Sequence, residues 1–137
     1  MENMLLWLYL VNAVLITVHE IDSAYWKEWD LFRRLFKGED SGSENSTRGL
    51  DGFLLFHIPA LFIVMYGIIP LVQRSFSGLI FSVLVCGCGL FAFSIHMICL
   101  RKGFKEFRTP VSISILAGTG VVSVVQLAVT FFVYIGR

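Results

Sequence analysis

The chain has 137 residues, 56 % of them hydrophobic and 15 % aromatic, with a formal net charge of +1 and a mean hydropathy of +0.76. A soluble domain of this size would expose more apolar surface than water tolerates, which excludes the ordinary soluble classes and points to a small polytopic membrane protein. The near-neutral charge selects no charged partner, and no nucleic acid is expected.

The first apolar run, Met4 to Val18, holds fifteen uncharged residues. A helix needs roughly 20 residues to cross a bilayer core, so this one reaches water only near Ala24. Met1-Glu2-Asn3 is acidic and no small-residue cleavage site follows, so no cleavable leader is expected. Three further runs are long enough to span, giving predicted spans over 4–24, 53–72, 79–100 and 111–135. The expected fold is all-α: a single integral membrane domain over 1–137, built as a four-transmembrane-helix bundle. Nine of the eleven Lys and Arg fall in the first and third loops, with only Arg74 and Arg137 opposite. The positive-inside rule therefore places both loops in the cytoplasm and both termini outside, in a multi-pass protein of the cell's inner (cytoplasmic) membrane.

After the first span, Tyr25, Trp29, Phe32 and Phe36 recur at helical spacing, with Lys27, Asp30, Arg33, Arg34 and Lys37 largely opposite. This reads as an amphipathic helix on the cytoplasmic interface, with a straight continuation of the first helix as the rival. The polar stretch 38–49 reads as a flexible tether. In the second span Pro59 predicts a kink beside His57. The short link from Gln73 to Gly78 makes spans two and three an antiparallel hairpin. Ser82, Cys86, Gly89, Phe93 and His96 form one stripe on span three. Thr109-Pro110 is a start signal for span four, whose Ser112, Thr119, Ser123, Gln126 and Thr130 share a face expected to point inward. Cys86, Cys88 and Cys99 are odd in number and confined to one apolar segment, so no disulfide framework is expected and packing is their role. Gly118-Thr119-Gly120 follows no strand and reads as a close-packing spot rather than a phosphate loop.

The three histidines lie in three different spans. Counted from the cytoplasmic ends at ~1.5 Å per residue, His19, His57 and His96 all sit roughly 6–8 Å below the same face. On the first helix His19 and Asp22 share a stripe, with Glu20 about 100° away. Imidazoles and a carboxylate converging in a low-dielectric pocket suit a divalent metal, Zn²⁺ or alternatively Fe²⁺ or Mn²⁺. The predicted ligands are His19, Asp22, His57 and His96, with Glu20 as general base and Glu28, Asp51 and Ser112 supporting them from behind. The bland alternatives are polar ties between helices for the histidines and an ion pair of Glu20 with Arg101 or Lys102.

His19-Glu20-Ile21-Asp22-Ser23-Ala24-Tyr25-Trp26-Lys27-Glu28-Trp29, followed by Phe53-Leu54-Leu55-Phe56-His57, resembles small bacterial membrane families of unknown activity, among them one that shares the same eleven-residue first-helix motif. It is similar as well to the group named for an HXXEE motif on its first helix, whose members are generally suspected of being enzymes, though the resemblance itself implies no activity. Here that pattern reads His19, Asp22, Ser23, so the second acid is absent. A looser likeness is to intramembrane hydrolases that build a zinc site from histidines and an aspartate at one membrane face.

Three functions are therefore expected, in this order. The first is a metal-dependent hydrolase of a lipid or amphiphile. The second is a b-type haem redox protein using two of the histidines as axial ligands. The third is a non-enzymatic ion- or proton-binding helper, or a small transporter that would need a homo-oligomer. Membrane lipids are the common partner of all three.

Overall fold

The computed structural model describes residues 1–37, 46–105 and 107–136, with the side chains of 32, 33, 36, 37 and 46–48 outside that description. Among the described residues six helices follow one another: α1 Glu2–Tyr25, α2 Glu28–Lys37, α3 Ser46–Tyr66, α4 Ile68–Val72, α5 Phe76–Arg101 and α6 Pro110–Ile135. Four stretches are long and apolar enough to span a membrane: α1, Gly49–Val72 across α3 and α4, α5 and α6. The chain is a multi-pass membrane protein on these grounds. Its outward surface is apolar, with Trp7, Leu55 and Phe62 exposed as side chains that face lipid tails should be.

The expected spans are found, with longer ends. The second extends furthest beyond expectation: the helix already runs from Ser46, so residues 46–49 of the expected tether are helical. The remainder of that tether, 38–45, lies outside the described residues. Pro59 stands inside α3 without ending it.

Helix starts and stops follow from local chemistry. The Thr109 hydroxyl accepts from the Ser112 amide at 3.1 Å and Pro110 takes the first helical position, where its missing N–H costs nothing. Ser75 caps α5 in the same way, accepting from Gly78. At the other end of α5, Gly103 adopts φ 92, its amide donates to the Leu100 carbonyl, and the Phe104 amide donates to Cys99. That pair of bonds closes the last turn as a Schellman motif.

Helices α1, α5 and α6 form a tightly packed trio, with α3 leaning on α1, α2 and α4 from the side. Polar side chains hold the trio together at mid-depth. Asn12 donates to Gln126 Oε1 at 2.8 Å and to Ser123 Oγ at 3.1 Å, Gln126 donates to Ser82 Oγ at 2.9 Å, and the Ser82 and Thr130 hydroxyls meet at 2.7 Å. All five residues are buried. The face of α6 expected to point inward does so. In a medium without water such bonds are worth ~0.6 kcal/mol on average and up to ~1.7.

One hydrogen bond pins α3 to the trio: the Tyr9 hydroxyl donates to the Val64 carbonyl at 2.7 Å, and Tyr9 is fully buried. Tyr9→Phe keeps the ring and removes this tie. It is expected to lower stability by about 0.6 to 1.7 kcal/mol, read as a reduced thermal midpoint in detergent.

Candidate functional site: a buried His–Glu–His cluster

The site lies at the end of the bundle where α1 gives way to α2 and α5 to α6. The first of these joints decides its chemistry. α1 stops at Tyr25, and Lys27 enters the left-handed region with φ 53, its amide turned back to the Ala24 carbonyl at 3.3 Å. The chain therefore breaks direction, and α2 is a separate helix rather than a continuation of α1. Glu28, its first residue, is swung under the bundle and is only 4 % exposed. Leu31 on the same face is fully buried against Cys99, Phe107 and Leu116. The inward face of α2 thus carries Glu28 and Leu31. Tyr25 is exposed, Trp29 is half-buried against Phe53, and the side chains of Phe32 and Phe36 lie outside the described ones.

His19, Glu28 and His96 each offer a ligand atom, and these atoms lie within 4.8 Å of one another. All three residues are buried. The two imidazoles stand edge to face with centroids 4.8 Å apart. His96 Nε2 is 3.3 Å from Glu28 Oε1. Among the described residues neither nitrogen of His96 nor Nδ1 of His19 has a hydrogen-bond partner of good geometry, the Glu28 contact being an ion pair when His96 is protonated. Orphaned ring nitrogens in a buried site are costly and call for a ligand. The spacing suits one: ligand atoms ~2.0–2.1 Å from a tetrahedral Zn²⁺ are ~3.4 Å apart. The Ser23 hydroxyl is 3.5 Å from His19 Nε2. Burial pushes the Glu28 carboxyl up, but the His96 contact and the Ser23 hydroxyl outweigh it, so its pKa falls below the ordinary value and the group stays ionised.

The other expected site residues are placed differently. Asp22 is not with the histidines: its Oδ1 accepts from Trp26 Nε1 at 3.1 Å and from Ser112 Oγ at 3.0 Å, tying α1 to the start of α6. One carboxylate thus takes the bracing role expected for Glu28, and Glu28 stands where Asp22 was expected. Ser112 braces Asp22, and Asp51 is exposed on α3. His57 does not join the cluster either. Its Nδ1 meets the Phe53 carbonyl at 2.7 Å, which fixes that nitrogen as the donor and turns Nε2 toward Glu20 Oε2 at 3.4 Å. Glu20 therefore faces His57 and not Arg101 or Lys102, both of which are exposed.

Phe107 closes the site from the loop side. It is 1 % exposed, its ring centroid 4.2 Å from that of His96. Its φ of 62 is a strained backbone for a bulky residue. The opposite side is open: a cavity of about 630 Å³ is lined by His19, Glu20, Glu28 and His57 at one end and by Ile16, Leu61, Val64 and Cys88 at the other. The Glu20–His57 pair thus shares one chamber with His19 and Glu28, while His96 stands behind them, outside the cavity lining.

Two imidazoles and a carboxylate this close together could hold a divalent metal ion. The two buried rings are in contact with each other, leaving no gap in which a haem could lie between them.

Comparison with curated proteins and with solved structures finds no match. The chain matches the Family of unknown function (DUF6713) over residues 5–133, nearly its whole length, and it belongs to that family.

Proposed function

We propose that this protein is a metal-dependent hydrolase of a lipid or amphiphile, with its centre just inside the cytoplasmic face of the inner membrane. The observation that carries the reading is the convergence of His19, Glu28 and His96 within 4.8 Å, buried and with ring nitrogens lacking hydrogen-bond partners. The orientation rests on the basic first and third loops, which flank that end of the bundle.

A divalent ion held by these three residues lowers the pKa of its water from 15.7 towards about 7. Glu20 stands at the same chamber with a buried Oε2 that has no hydrogen-bond partner. It takes the proton from water as the water oxygen attacks the carbonyl or phosphoryl centre. As the bond to the leaving oxygen breaks, Glu20 returns that proton to it, so the carboxylate ends as it began. His57 Nε2 lies 3.4 Å from Glu20 Oε2, an ion pair only when the imidazole is protonated.

The test uses zinc-loaded protein in nanodiscs and a para-nitrophenyl alkanoate as substrate. Glu20→Gln is expected to keep its zinc and lower kcat by about 10²–10⁴-fold. Zinc-loaded wild type that turns over no ester, amide or phosphodiester amphiphile would overturn the hydrolase and leave an ion- or proton-binding role for the same residues.

A further inference from the structure

We infer that the substrate is a single-chain amphiphile, whose chain enters sideways from the bilayer and lies in a slot between α3 and α5 with its head at the His–Glu cluster. The inference rests on the proposed metal centre for the head and on independent geometry for the chain.

The slot follows from how the helices pack. Among the described residues α3 and α5 scarcely touch, although both pack on α1, and the cavity occupies the space between them. Its walls run from His57 to Val64 on α3 and from Ile95 to Cys88 on α5. Each of these stretches holds eight residues, seven rises or about 10 Å of helix, the length of roughly eight methylenes, and on α3 the lining continues past His57 on the head side to Gly49. At the far end the Tyr9 hydroxyl pins α1 to the Val64 carbonyl, and Tyr9 and Val64 are both buried. The side is open. Phe56 and Phe91 line the cavity yet are 72 % and 66 % exposed, so the wall opens at a depth where the surroundings are lipid.

Polarity is distributed in the same sense. Every ionisable group of the cavity except the Cys88 thiol is at the His19 end: Glu20, Glu28 and His57 with His19 itself. A wholly apolar molecule would strand these groups, and a water-soluble substrate would leave the apolar length unfilled. An anionic or ester head on a chain of limited length satisfies both ends.

Two measurements test this on full-length protein. In the first, cobalt replaces zinc and n-alkyl hydroxamates from butyl to hexadecyl are titrated, binding being read from the visible spectrum. Affinity, corrected for partition into the nanodisc, is expected to rise at least tenfold up to about octyl or decyl and then level off. Ala60→Trp and Ala92→Trp, on opposite walls of the slot, should move that break towards butyl while leaving the cobalt spectrum of the unliganded protein unchanged. In the second, decanoic acid with a terminal diazirine is photolysed in the protein, with expected adducts on Leu61, Val64 or Cys88. Cobalt binding with no break in the chain series and adducts scattered over lipid-facing residues such as Trp7 and Phe62 overturns the slot. Slot adducts in a protein that holds no cobalt overturn the metal centre and leave the slot standing.

Discussion

Protein purified with zinc is expected to carry about one ion per chain, and His96→Ala to carry almost none. His96 is fully buried, with two ring nitrogens lacking hydrogen-bond partners, and its Nε2 is 3.3 Å from Glu28 Oε1. Removing the ring leaves His19 and Glu28, a two-point site. Loss of an outer partner of a metal ligand already costs about 10- to 100-fold in affinity, so loss of a ligand should cost at least ~100-fold. Glu28→Gln tests the same centre without changing shape, since the amide keeps the volume and gives up the charge. The informative contrast is with Asp22→Asn and His57→Ala. Asp22 is engaged by Trp26 and Ser112, and His57 by Phe53 and Glu20, so both variants should retain the ion. Stability supplies a second readout. A ligand at one hundred times its Kd stabilises the folded form by ~2.7 kcal/mol, so a chelator should lower the thermal midpoint of wild type, Asp22→Asn and His57→Ala but leave His96→Ala unmoved. Metal loss in Asp22→Asn with retention in Glu28→Gln would reverse the ligand assignment drawn from the geometry.

That contrast also marks where the sequence stops being legible. The spans are readable because lipid imposes a length and a polarity that few other environments demand. The common depth of the three histidines is readable too, since rise per residue converts sequence position into height. Rotation and helix breaks are harder. Asp22 lies one turn from His19 and looks inward on a helical wheel, yet Trp26 and Ser112 claim it. Glu28 reaches the cluster only because Lys27 takes a left-handed backbone, and lysine at that position gives no warning of it, as glycine would have done. The nine-residue spacing from His19 to Glu28 signals nothing on a continuous helix. His57 shows the opposite case: its depth is right and its partner is not, because Glu20 on the adjacent turn of α1 meets it first.

Gly89→Leu is expected to unfold the bundle where Gly87→Leu does almost nothing. The two positions are two residues apart on the same helix and carry the same substitution, so helix propensity, hydrophobicity and span length cancel between them. Gly89 is buried at the crossing of α1, α5 and α6: a Cβ built there collides with the Ser123 hydroxyl, comes within 3.1 Å of Thr119 Cγ2 and lies 3.5 Å from Asn12 Oδ1. Gly87 faces outward, and a Cβ there meets nothing within 4 Å. Without a hydrophobic force between helices in lipid, the trio depends on close backbone approach and on the hydrogen bonds that approach permits. A leucine at 89 acts on both. Overpacking costs about 1–3 kcal/mol, and forcing Ser123 aside breaks its bonds with Asn12, worth up to ~1.7 kcal/mol more. The sum is a large part of the stability of a small domain, so the variant should show a collapsed thermal midpoint or fail to leave the membrane as a folded species. Gly87→Leu should stay within about 0.5 kcal/mol of wild type. The site stands on the same trio, since His19 and His96 come from α1 and α5, so metal content should fall with the fold in Gly89→Leu and be unchanged in Gly87→Leu. Equal midpoints for the two variants would mean that α5 does not meet α1 and α6 at Gly89, and the distance between the two buried histidines would lose its support.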